Sequence, residues 1–394
     1  MKQIKSIMRV VSVNNNFMNP IDINFLNLAH ELAIKQEHIS HPNPSVGCII
    51  VKDNTILSSG VTERAGQRHA EIVAIDNVKN KDDLKNSTIY VTLEPCSHYG
   101  RTPPCINSIV KYGINRVVIG MKDPNINVNG QGINFLRSNN IAVEICDNEN
   151  LIQKIKYALR GFLKFHMMHK SWIRLKLACS LDGVMALDNN VSKWITGEKA
   201  RMHNHKLRAR AGAVVSGINT IIYDNPLLNV RLEHENIRQP LRIILDTYAR
   251  GANYTHFEIF KNQDIMPLLW ICSDKADTDL VNTLKNITNV LCLPLKENYI
   301  DLKILLEYLY SVNINEVHVE GGANLISSFL SQNLFDEIAL YQAPIWLGNG
   351  KRLFSELYLD SLDDINCLEF FKHEKLGKDM LNILLNKNNC LCLK

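Results

Sequence analysis

Two short stretches of the sequence decide how its first half folds. The first, "GQRHAEIVAI" at residues 66–75, places His69 and Glu71 two residues apart. The second, "TLEPCSHYGRTPPC" at residues 92–105, contains two cysteines that each follow a proline. One imidazole and two thiolates are ligands suited to zinc. Because the histidine and the cysteines lie far apart in sequence, a helix and a strand have to bring them to one point, as an α/β domain does.

The composition restricts the class of protein. With 394 residues the chain is too long for one ordinary hydrophobic core, so more than one domain is expected. Its 46% of hydrophobic and 21% of charged residues are typical of a globular enzyme. The net charge of +4, without a run of like charges, indicates neither a nucleic acid nor a membrane partner. We therefore expect a small-molecule substrate.

The cysteine content and the N-terminal residues bear on the compartment. Residues 1–19 contain only short apolar pieces, which is unlike a signal peptide, and we interpret them as an N-terminal extension. Ten cysteines without a secretion signal predict a reducing environment, so we expect a cytoplasmic protein. Eight of the cysteines, including Cys48, Cys272 and Cys292, lie in apolar strand-like runs and are predicted to pack in the core.

The first half, residues 20–147, alternates helical and strand patterns. Apolar spacing predicts a helix in "IDINFLNLAHELAIK" and two strands in "SVGCIIVKDNTILSSG", with a turn at Asp53 and Asn54. A helix that opens at "HAEIVAI", a strand in "STIYVTLEP", a helix in "PPCINSIVKYG" and a strand in "NRVVIG" follow. This alternation predicts an α/β layer fold.

A polar stretch at residues 147–150 ends this alternation, and we place the domain boundary between residues 147 and 148. Residues 148–394 are predicted to form a second α/β domain of roughly eight strands. Its strand-like runs are "SWIRLKLACSLDG", "AGAVVSG", "PLRIILD", "PLLWICS", "NVLCLPL", "NEVHVE" and "DEIALYQAP". The two halves share no period or motif, so they are not repeats of one unit.

The zinc ligands predicted for the first domain are His69, Cys96 and Cys105. Three protein ligands leave the fourth tetrahedral position to water, as in catalytic sites. Zinc lowers the pKa of such a water from about 15.7 to about 7. Glu71 would then carry a proton from the water to a departing amine, as in zinc deaminases, although their P-C-x-x-C signature is replaced here by a longer spacing between the cysteines.

Other histidines allow alternatives to a catalytic zinc site or have no functional role. A structural zinc site that recruits His98 as a fourth ligand would leave Glu71 as a surface carboxylate without a task. His41, in "HPNP", is a weaker candidate for a contact with the substrate. The remaining isolated histidines are interpreted as ordinary side chains with satisfied hydrogen bonds: His30, His38, His166 and His169.

Several motifs together resemble the family of bifunctional riboflavin-biosynthesis deaminase-reductases. "HPNPSVGCIIVKD", "RAGQRHAE", "VTLEPCSHYGRTPPC" and "DPNINVNGQG" are similar to its deaminase half. "LKLACSLDG", "SKWITGEKARMHNHKLRA", "DNPLLNVR" and "VEGGANL" are similar to its reductase half. The resemblance covers nearly the whole chain after Asn19. It implies a cytidine-deaminase-like three-layer α/β/α zinc domain followed by a dihydrofolate-reductase-like α/β domain, with Zn²⁺ and NADPH as cofactors.

The resemblance also implies binding residues, position by position. The implied NADPH contacts are Ala178, Trp194, Thr220, Asp224, Thr247, Gly322, Ala323, Asn324, Leu325, Ile326, Ser327 and Ser328. The implied substrate contacts are Asn43 in the first domain and Ser192, Arg208, Leu228, Arg231 and Glu320 in the second. Independently of the family, the forked cations of the two arginines suit a phosphate. A double glycine before a helix in "VEGGANL" suits a pyrophosphate, although such turns are also common connectors.

The implied reactions are hydrolysis of the 2-amine of a diaminopyrimidinone ribose 5-phosphate and NADPH reduction of its ribosylamino side chain to ribitylamino. We hypothesise that Arg101 orients the substrate through its phosphate and that Lys176, or solvent, donates the proton during reduction. A homo-oligomer is expected.

Two alternatives remain open. A tRNA or nucleoside deaminase would want a basic face, which 44 basic against 40 acidic residues hardly indicates. A zinc-stabilised, nucleotide-binding regulator with a degenerate site would predict either the loss of Glu71 or a ligand in the open coordination position, and Glu71 is present.

Overall fold

The chain folds around two separate β-sheets, one of five strands and one of nine. The computed structural model describes residues 18–100, 103–125, 128–189, 191, 194–233, 237–354, 357 and 368–393. Arg101 and Ser192 lie outside these residues, as does nearly all of the predicted N-terminal extension. The prediction of two consecutive α/β units is confirmed.

The first sheet has the strand order β2-β1-β3-β4-β5. Strand β1 is antiparallel to β2 and to β3, whereas β3, β4 and β5 are parallel. The strands are β1 (Gly47–Lys52), β2 (Thr55–Val61), β3 (Thr88–Val91), β4 (Arg116–Ile119) and β5 (Ala142–Ile145). The helices are α1 (Pro20–Lys35), α2 (Ala70–Asn77), α3 (Cys105–Lys111) and α4 (Gln131–Ser138).

Local chemistry explains several of these boundaries. Asn19 caps α1, because its side chain accepts a hydrogen bond from the Ile21 amide at 3.0 Å, and Pro20 occupies the first helical position. Asp53 and Asn54 adopt positive φ values of 48° and 59°, which is the backbone that a two-residue hairpin turn requires. The predicted turn between β1 and β2 therefore lies where the sequence placed it.

Two helices connect the sheets: α5 (Glu149–Ala158) and α6 (Arg160–Met168). Leu151 and Ile155 of α5 pack in the same apolar cluster as the core of the first sheet, and that cluster continues through α6 to Tyr341 and Leu381 of the second sheet. Gly120 allows the close approach of α5, since a Cβ at this position would lie 2.7 Å from Ile155 Cδ1. One apolar cluster thus spans both sheets, and the second sheet has two further clusters of its own.

The second sheet has the order β11-β10-β9-β8-β14-β6-β15-β18-β17. Neighbours from β11 to β15 are parallel, and β18 and β17 are antiparallel additions at one edge. Its strands are β6 (Trp172–Cys179), β8 (Ala213–Gly217), β9 (Leu241–Leu245), β10 (Leu268–Ser273), β11 (Asn289–Leu293), β14 (Glu316–Glu320), β15 (Glu337–Gln342), β17 (Leu368–Leu376) and β18 (Asp379–Asn386).

Shorter elements complete this half of the chain. Strand β7 (Val184–Ala186) pairs with β16 (Lys351–Arg352), and β12 (Leu295–Lys296) pairs with β13 (Tyr299–Ile300). The helices are α7 (Glu198–Arg210), α8 (Ile218–Asp224), α9 (Thr278–Lys285), α10 (Leu302–Ser311) and α11 (Ala323–Ser331). Within the described residues, no helix combines the length and the apolar character that a membrane crossing requires.

Two sequence predictions are wrong in detail. Cys292 is exposed, because β11 is an edge strand and the side chain at this position faces solvent, whereas Cys48 and Cys272 are buried as predicted. His30 is buried in α1, and among the described residues its Nδ1 has no hydrogen-bond partner, so it is not the satisfied side chain that we expected.

Candidate active sites

The structure brings the three predicted metal ligands of the first domain together. His69 Nδ1 lies 3.4 Å from Cys96 Sγ and 3.4 Å from Cys105 Sγ. Tetrahedral zinc, with ordinary Zn–N and Zn–S bond lengths, separates such nitrogen and sulfur ligands by about 3.6 Å. The three donor atoms therefore fit a zinc ion. Within the part of the chain that is described, this is the one His, Cys, Asp and Glu group close enough to hold a metal, and His98 is exposed outside it.

Two helix starts and the segment that follows β3 position these ligands. His69 precedes α2, and Cys105 is the first residue of α3, where its backbone N–H donates to Cys96 Sγ at 3.3 Å. Helix α2 packs closely on β2, because a Cβ at Gly60 would lie 2.3 Å from Ala70 O. The sequence folds in this way because Gly60 admits the helix and because Pro104 ends the preceding segment where α3 begins.

Glu71 stands beside this cluster in the first turn of α2. Its side chain is buried, with a relative exposure of 4%. Burial is the main cause that raises the pKa of this carboxyl to about 7, with a further contribution from Cys96. A buried acid next to a metal position can take up and release a proton there.

Asn43, the implied substrate contact of this domain, lies in the turn that precedes β1. Its backbone N–H donates to Ser40 O at 2.9 Å. The residue also lines a small cavity together with Arg210 and Asn315, which belong to the second half of the chain. No pattern in the sequence indicated that these residues would meet the turn.

The second half contains a cleft of about 1510 Å³ at the carboxyl ends of the parallel strands. Such strand ends are where ligands bind in open α/β sheets. All of the described residues implied for NADPH, except Ile326, line the cleft. The Ile326 side chain packs in the core instead, which leaves only its backbone for a contact with the cofactor. Of the implied substrate contacts, Arg208, Leu228, Arg231 and Glu320 line the same cleft.

The cleft has the features of a cradle for a phosphate-bearing cofactor. Helix α11 begins after Gly322 without a side chain that caps it, so the first N–H groups of the helix are available to a ligand. A Cβ at Gly321 would lie 2.9 Å from the Leu325 side chain, whereas nothing lies within 4 Å of the corresponding position at Gly322. Ser327 is 4% exposed, and its hydroxyl has no partner among the described residues. The residues present therefore fit NADPH.

The two arginines implied for the substrate differ in what they can bind. Arg208 Nε and Nη2 both donate to the Glu320 carboxylate, the second at 2.8 Å, and Nη1 donates to Asn229 O at 2.9 Å. Arg231 Nη1 donates to the side-chain Oδ1 of the same Asn229 at 2.7 Å, and Arg231 is exposed. Arg208 thus orients Glu320, and Arg231 is the better donor to a phosphate. Sequence spacing could not distinguish these two roles.

Lys176 lies in β6 directly opposite Glu320 of β14 and lines the cleft. Burial is the main cause that lowers its pKa from the ordinary lysine value, and Arg208 lowers it further. Proximity to the implied substrate residues is compatible with proton donation.

Some residues of the cleft were not predicted. Arg201 lies over the ring of Trp194, 4.4 Å from its centroid, and donates to Thr196 O at 2.8 Å. Tyr341 lines the cleft and contacts His203 Nδ1 at 2.8 Å. Arg201 therefore packs on one face of an exposed tryptophan, whose ring could stack on an aromatic ring of a ligand. Arg201 could not be identified from the sequence, because a charged residue on a helix is too common a signal.

Comparisons with known proteins identify one protein family in each half of the chain. Residues 20–121 match the family described as "Cytidine and deoxycytidylate deaminase zinc-binding region", and residues 171–382 match "RibD C-terminal domain". The chain is 38% identical to the riboflavin biosynthesis protein RibD of Buchnera aphidicola over 93% of this chain and 99% of that protein. It is 34% identical to RibD of Escherichia coli over 89% and 96%.

Two solved structures are similar over the whole fold. RibD of Acinetobacter baumannii is 35% identical with a TM-score of 0.80, covering 93% of this chain and 98% of that one. A diaminohydroxyphosphoribosylaminopyrimidine deaminase/5-amino-6-(5-phosphoribosylamino)uracil reductase of Thermotoga maritima is 31% identical with a TM-score of 0.80, covering 93% and 99%.

The fold and the two sites define a two-domain enzyme, a zinc-dependent deaminase joined to a reductase with a dihydrofolate-reductase-like fold. Its cofactors are Zn²⁺ in the first domain and NADPH in the second. The chain belongs to the RibD family of bifunctional riboflavin biosynthesis proteins.

Proposed function

We propose that the first domain hydrolyses the 2-amino group of 2,5-diamino-6-ribosylamino-4(3H)-pyrimidinone 5′-phosphate and that the second domain reduces the product with NADPH. The final product is then 5-amino-6-(5-phosphoribitylamino)uracil. The observation that carries this proposal is the His69, Cys96 and Cys105 donor group beside buried Glu71, in a chain that also contains a cleft of about 1510 Å³ lined by residues implied for NADPH. The two activities named for the Thermotoga maritima relative support the choice of substrate.

In the deaminase site, we propose that His69, Cys96 and Cys105 hold zinc. The ion, when bound, supplies the Lewis acid that activates the attacking water. Glu71 accepts the proton of that water and delivers it to the departing amine, a task for which its burial at the ligand cluster suits it. Asn43 holds the pyrimidine ring, and Arg101, which lies outside the described residues, orients the phosphate.

In the reductase site, we propose that NADPH lies along the start of α11, with its pyrophosphate at the uncapped helix end. Arg231 binds the substrate phosphate, while Arg208 holds Glu320 in place through its two bonds to the carboxylate. Ser192, outside the described residues, and Leu228 complete the substrate contacts. Lys176 donates the proton that accompanies hydride transfer.

The organisation of the chain is part of the proposal. The domains extend over residues 20–147 and 148–394, after an extension at 1–19. A cytoplasmic location is supported by the cysteines of the described residues, which are all free thiols. Assembly into a homo-oligomer is supported by edge strand β17, where Phe370 is 72% exposed, and sedimentation analysis tests it.

Mass spectrometry of the diaminopyrimidinone ribotide after incubation with the zinc-loaded enzyme tests the function. We expect replacement of amine by oxygen with or without NADPH, and addition of two hydrogens only when NADPH is present. A ribotide that survives unchanged in both samples would contradict the proposal.

A further inference from the structure

We propose that Asn315 of the reductase domain is a positioning residue for deamination, because it holds the turn that carries the substrate contact of the deaminase site. This segment, residues 40–44, is the 40–44 turn. The inference rests on the proposed deaminase function and on Asn43 as a substrate contact. It implies that deamination depends on the reductase domain even though that domain supplies none of the metal ligands.

The 40–44 turn lies at the edge of the first sheet where the metal ligands meet. It leads directly into β1, whose first residue, Gly47, accepts a hydrogen bond from Thr92 N at 3.1 Å and donates to Thr92 Oγ1 at 3.2 Å. Thr92 follows β3, and the chain continues from it to Cys96. Antiparallel pairing therefore places the start of β1, and the turn before it, beside the segment that carries a metal ligand.

Asn315 binds the turn from the second domain. Its side-chain Nδ2 donates to Pro42 O at 2.8 Å, and the residue is only 8% exposed. Its own carbonyl accepts from Trp172 N at 2.9 Å, which fixes the Asn315 backbone against the start of β6. A buried amide on a fixed backbone is a rigid donor, so it defines where the carbonyl before Asn43 lies.

Two further contacts hold the same segment. His41 packs against Gly212 so closely that a Cβ there would lie 2.4 Å from His41 Nε2. Glu37, just before the turn, forms an ion pair with Arg210, which itself donates to Glu316 Oε2 at 2.9 Å. The turn is thus held from the reductase side by shape, by charge and by one directed hydrogen bond.

The geometry also separates this contact from the reductase chemistry. Asn315 and Glu316 lie at the beginning of β14, whereas Glu320 lies at its carboxyl end in the cleft. A strand of this length extends about 16 Å. A change confined to the Asn315 side chain is therefore expected to affect the deaminase site and not the reductase site, and the second activity serves as an internal control.

The test is the variant Asn315→Ala in the full-length, zinc-loaded enzyme. Deamination is measured with the diaminopyrimidinone ribotide, and reduction is measured on the same preparation with separately supplied deaminated intermediate and NADPH. We expect the deamination KM to rise about 5-fold, the change that corresponds to one lost hydrogen bond. Because Asn43 is proposed to bind the substrate and not to perform the chemistry, kcat, zinc content and both reductase constants should stay near their wild-type values.

Asn386→Ala is the matched control. Asn386 is also a buried asparagine of the reductase domain whose Nδ2 donates to a backbone carbonyl, that of Phe335 at 3.2 Å, but it does not belong to the contacts of the turn. It should lower stability without a selective rise in the deamination KM. If Asn315→Ala folds poorly, Asn315→Ser, which is too short to reach Pro42 O, replaces it. Gly212→Ala, which displaces His41, should produce the same selective effect independently.

The outcomes distinguish this inference from the function on which it rests. An unchanged deamination KM in Asn315→Ala and Gly212→Ala, or an equal loss of both activities, overturns the inference. If the wild-type enzyme reduces the supplied intermediate but does not deaminate the ribotide, the proposed deaminase function fails, and the inference fails with it.

Discussion

At the scale of single residues, Glu71 is the proposed proton carrier of deamination. Replacement by glutamine preserves its size and burial but removes the group that carries the proton. We expect Glu71→Gln to lower the deamination kcat by about 10²- to 10⁴-fold. Zinc content should not change, because Glu71 lies outside the donor group. Rate measurements and metal analysis on one preparation check both statements.

The control for this variant is Glu149→Gln, on the exposed first turn of α5. It should deaminate at the wild-type rate. Both variants should reduce separately supplied intermediate normally, and a fully active Glu71→Gln enzyme would show that another group moves the proton.

Lys176 is the proposed proton donor of the reductase site, with solvent as the alternative. Its pKa is lowered mainly by burial, and a lysine donates only while it is protonated. If Lys176 is the donor, the reduction rate falls as pH rises through this lowered pKa, and Lys176→Met loses about 10²-fold in kcat together with that dependence. The pH profile of kcat for both enzymes is the measurement. Hydride transfer at the full rate in Lys176→Met would assign the proton to solvent.

At the scale of elements, α1 is held on the first sheet by a buried carboxylate. Asp22 accepts hydrogen bonds from Arg116 of β4 at 2.8 and 2.7 Å and from the Tyr90 hydroxyl of β3 at 2.6 Å. The hydrogen bond from Arg116 is the main cause that lowers the pKa of Asp22 below its ordinary value, although burial opposes it. One helix is thus joined to two strands through one side chain.

This arrangement predicts a pH dependence of stability. Because the folded pKa of Asp22 is the lower one, its contribution is present above the unfolded pKa of about 3.9 and is lost as pH falls through the folded value. Asp22→Asn should lower the unfolding free energy of the first domain by about 2 kcal/mol at neutral pH. Urea unfolding at pH 7 and near pH 3 checks this, and a difference between wild type and variant that is as large at pH 3 as at pH 7 would contradict it.

The elements that the sequence predicted share a strong local pattern. The helix around His69, the hairpin at Asp53 and the buried parallel strands are examples, since apolar periodicity and turn residues are properties of a few neighbouring residues. The hairpin of β17 and β18 escaped prediction. Strand β17 is an edge strand with an exposed surface, so its charged residues obscure the alternation that would have identified it.

At the scale of the whole molecule, a buried ion network joins the connecting helices to the second sheet. Glu316 of β14 accepts from Arg174 at 2.5 Å, from Arg210 at 2.9 Å and from Arg160 at 3.3 Å. Arg210 extends the network to Glu37 of the first domain. Glu316 therefore contacts three buried guanidinium groups that come from α6, β6 and α7, and Glu337 of β15 shares two of them, Arg160 at 3.1 Å and Arg174 at 2.7 Å.

Removal of the Glu316 charge should lower the free energy of unfolding. Glu316→Gln removes one of the two buried carboxylates beside Arg160 and Arg174 and the buried partner of Arg210. Loss of one partner of a buried ion pair costs about 3–5 kcal/mol. We expect a clear decrease in the midpoint of urea unfolding, measured by circular dichroism. Glu369→Gln is the control, because Glu369 forms only an exposed pair with Lys387 at 3.7 Å. A midpoint equal to that of the control would show that the network contributes little.

The sequence by itself determined the chemistry of the first site and the class of the fold. His69, Glu71, Cys96 and Cys105 were identifiable because few residue types bind zinc and because their spacing demands a particular α/β framework. The family resemblance supplied the residues of the second site, which local spacing does not reveal.

Only the tertiary structure decided how these residues act together. It paired Arg208 with Glu320, placed the Ile326 side chain in the core, and brought Asn315 to the turn before Asn43. The physical reason is that these contacts join residues far apart in the chain. Periodicity and turn chemistry act over a few residues, whereas such pairs are set by the strand order of the second sheet and by the packing of the two domains.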